Sequence, residues 1–175
     1  MSTRPGTNGC LRRTRAGASR RLLAPSKEHR CHRLWRLEMG ATGAGPFEND
    51  DALDFLDELE DSQHDVRRKR VESALDRVVR ARGYIEAPTM SQAVAAAVVV
   101  AACDDFESVV RERNVPRWVD EEPIDVDEGL EELASQALHR ALQSDDNELW
   151  ELWAEGDGGE RFTAKLTHYL DALGD

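Results

Sequence analysis

The chain has 175 residues, with 35 Asp and Glu against 23 Lys and Arg, and 40% of it is apolar. That length holds one well-cored domain rather than two, and no stretch reaches the roughly 18 apolar residues that span a bilayer, the longest being 93–103. Three scattered cysteines form neither a disulfide framework nor a zinc site, which points to a reducing, cytoplasmic setting.

Charge divides the chain at Met39. Residues 1–38 hold ten bases and two acids, and residues 39–175 hold thirteen bases and thirty-three acids, so a net of +8 is followed by −20. The first piece is Arg-rich, lacks the apolar centre of a secretory signal and shows no sustained apolar period. We expect a disordered basic extension, translated from a start codon assigned too early, with Met39 as the real start. A genuine disordered tail and an organellar transit peptide are the alternatives. His29, Cys31 and His32 have no matching ligand pair nearby and are not expected to bind metal.

From Met39 a glycine-rich lead-in runs to Pro46, and Asn49 is placed to cap a helix with Asp50 and Asp51 in its first turn. Ala52, Phe55, Leu56 and Leu59 form its apolar stripe, and Asp50, Asp54, Asp57, Glu58 and Asp61 its wet face. A second helix is expected over 66–82, capped by Asp65 and stopped by Gly83, with Val71, Ala74, Leu75 and Val78 inward. Residues 84–88 break the pattern, and Ser91 is the expected cap of a third helix over 92–103. That segment is Ala and Val on every side, the composition of a buried central helix.

Residues 104–113 extend this helix or form a short one, 114–116 end it, and 118–127 read as an acidic loop. A fourth helix over 128–143 carries Leu130, Leu133, Ala134, Ala137, Leu138 and Ala141 inward. A fifth over 146–155 uses Leu149, Leu152 and Trp153, and a sixth over 160–173 follows a glycine loop. The expectation is an all-α, single-domain bundle of about six helices around the Ala/Val-rich one, preceded by a disordered segment.

Met39-Gly40-Ala41, then Gly43, Gly45-Pro46-Phe47-Glu48-Asn49-Asp50-Asp51-Ala52, then Phe55-Leu56 and Leu59, resembles the opening of a bacterial family, domain of unknown function 4259. Residues 84–88, before the Ala/Val-rich helix, and 148–153, near the end, are similar too. Thr42 stands where the family usually has Trp, so any packing role of that Trp is not carried over. The resemblance implies a start at Met39 and brings with it no assigned activity and no catalytic residues.

Two readings of the 43–52 turn compete. As a site, Asn49, Asp50 and Asp51, with Asp54 one turn on, would hold a cation or polar ligand. As architecture, Gly43 and Gly45 give backbone freedom, Pro46 stiffens the lead-in, Phe47 anchors it and Asn49 caps the helix. The architectural reading is preferred, and two first-turn aspartates argue against a phosphate. Asp50, Asp54, Asp57 and Asp61 share a face but lack the Glu-x-x-His partner of bundle metal sites, so no metal or cofactor is expected. Asp125 and Asp127 before Gly129 lack the spacing of a calcium loop.

The basic run 67–70 is expected to pair with Asp61 and Asp65, and the net charge opposes nucleic acid. Cys103 is read as a core thiol, and Trp150, at the edge of its helix stripe, as a candidate contact residue. His64, His139 and His168 have no nearby Ser or Cys arrangement for nucleophilic catalysis. Two functions follow: a non-enzymatic interaction module that binds or neutralises a basic protein, without nucleic acid or membrane, or an enzyme or metal protein using the carboxylates near Asn49 and Asp54.

Overall fold

A computed structural model describes residues 45–154 and 158–174. The disordered extension expected over 1–38, and Gly43 of the lead-in, lie outside these residues. The described part is all-α: α1 (Asp50–Glu60), α2 (His64–Val79), α3 (Ala87–Asp104), a 3-10 turn (Phe106–Val109), α4 (Trp118–Glu121), α5 (Glu128–Leu142), α6 (Glu148–Ala154) and α7 (Gly158–Ala172).

Helix α3 lies at the centre, packed by α1, α2 and α5 along its length and by α4, α6 and α7 elsewhere. The Ala and Val side chains dictate this position. They are short enough for neighbouring axes to approach on all sides, and Ala95 to Ala101 are fully buried without interruption. The amphipathic stripes of the other helices close around it: Phe55, Leu56 and Leu59 from α1, Val71, Leu75 and Val78 from α2, Ala134 and Leu138 from α5, and Leu166 and Tyr169 from α7. Each large side chain so buried contributes roughly 1.5–3 kcal/mol.

Several boundaries differ from the sequence expectation. Helix α3 starts at Ala87 rather than at 92, because Pro88, which ends most helices, is tolerated in a first turn where no N–H is needed. Ser91 is therefore not a cap but a helical residue, 3% exposed. With its first turn included, α3 has 18 residues and is long and apolar enough to cross a membrane, unlike the shorter stretch read from sequence. Within the bundle, 72% of it is buried, as befits a core helix.

Helix α2 begins at His64 behind Gln63, so Asp65 sits in the first turn instead of capping it, and the helix ends at Val79. Gly83 follows at φ +109, a backbone conformation that favours glycine. Residues 118–121 form a helical turn where a loop was expected, because Trp118 and Val119 find a place in the core. The tract after α3 separates into a 3-10 turn whose cap, Asp105, accepts from the Glu107 N–H. Helix α6 begins two residues later than expected, and α7 two residues earlier.

Candidate functional site

The lead-in turn is tied on both sides. The Gly45 N–H donates to Glu48 Oε2 at 2.8 Å, and the Glu48 N–H donates to the Gly45 carbonyl at 3.2 Å. A Cβ on Gly45 would come within 2.9 Å of that carboxylate oxygen, so glycine leaves room for the Glu48 side chain to fold back onto the Gly45 N–H. Pro46 and Phe47 are buried. The Phe47 carbonyl accepts from Asn114 Nδ2 at 2.9 Å, with Asn114 itself held at φ 62. Asn49 Oδ1 accepts from the Ala52 N–H at 2.8 Å and caps α1.

The proposed ligand residues do not converge on a pocket. Asn49 is used as the cap, Asp50 and Asp54 are exposed, and Asp51 is half-buried. Among the described residues no group of three or more His, Cys, Asp or Glu is placed to hold a metal ion. Asp54, Asp57 and Asp61 make no ion pair within the described residues.

The basic run pairs, but not with Asp61 and Asp65. Arg67 is 8% exposed. Its Nε donates to the Leu59 carbonyl at 3.1 Å, its Nη1 donates to Glu122 Oε2 at 3.1 Å, and its guanidinium lies 4.7 Å from the centre of the Trp118 ring. Arg68 bonds Glu72, Asp127 and the Asp125 carbonyl, and Arg70 bonds Glu58. Partners 55–60 residues away in sequence, brought in by α4 and the N-terminus of α5, displace the neighbours that proximity suggested. Asp127 also caps α5 through the Leu130 N–H. The Arg68 hydrogen bond, and then the cap bond, hold the Asp127 carboxyl below the usual carboxylate range. Cys103 is half-buried, and burial pushes its thiol up to about 11, which leaves it protonated and unreactive at neutral pH.

A second set of contacts gathers around α6. Asn147 is wholly buried; its Nδ2 donates to the carbonyls of Ala141 at 2.8 Å and Gln143 at 2.9 Å, and its Oδ1 accepts from the Trp150 N–H at 3.2 Å. Ile85 and Asn147 form a parallel bridge, with the Ile85 N–H donating to the Asp146 carbonyl and the Glu148 N–H to the Ile85 carbonyl. Glu148 Oε2 accepts from the Ala87 N–H at 2.8 Å and so caps α3 from another helix. The Tyr84 hydroxyl donates to Glu151 Oε2 at 3.2 Å. Segments 84–88 and 148–153, sixty residues apart, are thus zipped together.

The lead-in meets the same helices. Gly45, Pro46 and Asn49 share a cleft of about 20 Å³, little more than one water, with Leu149, Trp153, Phe162 and Lys165. Trp153 stacks on Phe162 at 5.6 Å, and Trp150 is tilted against the same ring at 6.3 Å. Trp150 remains half-buried and lines an outer groove of about 540 Å³ between α6 and α7. A larger groove, about 590 Å³, lies between α2 and α5.

One cluster had no sequence signal. Lys165 Nζ lies 2.5 Å from the carboxylate of Glu112, whose side chain is 8% exposed. The Tyr169 hydroxyl is buried beside that carboxylate, and burial, then the charge of Glu112, push its phenol up. Tyr169 is fully buried, so the cluster anchors the 3-10 turn region to α7 rather than facing a substrate.

The lead-in from Gly40 onward, 84–88 and 148–153 fall within residues 40–165, which match the family model described as Domain of unknown function (DUF4259). The chain belongs to that family. Where they are described, these segments meet at α6. No curated protein and no solved structure matches the chain.

Proposed function

We propose that this member of the family is a non-enzymatic protein-interaction module whose partner presents a basic surface. The observation that supports this most is the distribution of its charge pairs. Arg67, Arg68 and Arg70 of α2 and Arg80 just after it pair with acids of the domain. On α1, Arg70 reaches Glu58, while Asp54, Asp57 and Asp61 stand exposed and make no ion pair among the described residues. Such a field speeds encounter with a cationic surface and is screened beyond roughly 8 Å at physiological salt. A reducing, cytoplasmic setting belongs to the same proposal, on the unpaired thiol of Cys103.

The test is capture from host lysate with the full chain at low and moderate salt. One discrete basic protein should be retained, less strongly as salt rises, and less strongly when Asp54, Asp57 and Asp61 become Asn. Capture of nothing, or of a protein indifferent to both changes, rejects the reading.

A further inference from the structure

We infer that the groove between α6 and α7 is where the partner docks, and that it takes an amphipathic segment with an aliphatic side chain against Trp150 and a lysine or arginine beside Glu160. This inference rests on the interaction reading above and names its surface. Trp150, Ala154, Gly159, Glu160, Thr163 and Ala164 line the groove. Three of these are small, so a partner backbone can come close to the floor.

Trp150 is a pre-set anchor. Its ring leans on Phe162, which Trp153 holds from stacking distance, and its backbone N–H donates to the buried Asn147, which fixes the main chain that carries the ring. An aromatic side chain already ordered loses little entropy on binding and exchanges its remaining wet surface for contact.

Charge specifies the occupant. Among the described residues of the lining Glu160 is the charged one; it is exposed and has no ion pair among the described residues, and Arg161 lies outside that lining. A basic flank on the docked segment therefore meets the Glu160 carboxylate at the groove. The α2–α5 groove is larger, but its acids Glu72, Asp76 and Asp127 are already matched by Arg68 and Arg80, and Lys69 also lines it, so it offers a basic segment no unpaired carboxylate among the described residues.

The experiment is fluorescence anisotropy of a labelled amphipathic Leu/Lys helical peptide with the full chain. The comparison probes are a Leu/Gln peptide of the same pattern and a Ser/Lys peptide of the same charge. The Leu/Lys peptide should bind more tightly than both. Ala164→Arg, at an exposed position, and Trp150→Ala should each weaken it by about tenfold or more, with helical content checked by circular dichroism. If the Asp54, Asp57, Asp61 to Asn variant weakens binding while Ala164→Arg leaves it within twofold, the groove is wrong and the basic-partner reading stands. Equal binding of the Ser/Lys peptide also overturns the groove. No binding of either lysine peptide overturns both.

Discussion

Helix α3 and helix α6 occupy the same bundle by different means. Helix α3 is buried around its circumference over Ala93 to Ala102, and its neighbours bury apolar stripes against it, with Glu148 bonded to its first N–H. Helix α6 has seven residues with Leu149 alone fully inside, and its position rests on directed polar contacts: Asn147 into the end of α5, Glu148 to Ala87 and Glu151 to Tyr84. A helix held by area has no preferred face for function. A short helix clasped by hydrogen bonds can keep a tryptophan half-exposed at a fixed place.

The sharpest way to break this contrast is a charge in α3. Val98→Asp buries a carboxylate with no partner and should cost several kcal/mol, comparable to the ~5–15 kcal/mol that stabilises a whole domain. A thermal melt that matches the wild type would show that α3 is not the centre.

Asn147→Ala tests the clasp. It leaves the Ala141 and Gln143 carbonyls without their donor and the Trp150 N–H without its acceptor, so a loss of about 3 kcal/mol is expected. Urea unfolding measures it, and a loss below about 1 kcal/mol would mean that packing alone places α6.

At the start of α1, Asn49→Ala should cost about 0.5–2 kcal/mol through the lost cap. Asp54→Ala, on the wet face of the same helix, should stay within ~0.5 kcal/mol. Equal losses from the two would put Asp54 in a role the contacts do not show.

The smallest effect expected is pH-dependent. The Asp127 carboxyl is held low in the fold, so its pairing with Arg68 stabilises above the ordinary carboxylate value and is lost as pH falls through the lowered one. Asp127→Asn keeps a capping side chain but not the charge, so its acid unfolding limb should be shallower than the wild type's. Superimposable limbs would show that the pairing adds nothing.

The helices were legible wherever one apolar stripe or a cap decides the matter. Ala52, Phe55, Leu56 and Leu59 on α1, the Asn49 cap, and the Ala/Val composition of α3 are local patterns, because side chains three and four apart share a face whatever the rest of the chain does. Boundaries set by remote partners were not. Ser91 looked like a cap because it follows Pro88, yet α3 starts earlier, its first N–H satisfied by Glu148 sixty-one residues on. Trp118 looked like a loop residue until a buried arginine supplied a face for its ring.

For the candidate site the division is the same. The sequence by itself determined a family, an acidic surface and a tryptophan at the margin of a helix stripe, since charge and periodicity are sums over neighbouring residues. The tertiary structure decided which carboxylates stay unpaired, which arginines are consumed, and that Trp150 borders a groove rather than a core. Those outcomes depend on pairs such as Arg68 with Asp127 and Glu112 with Lys165, whose members are more than fifty residues apart and meet only when the helices pack.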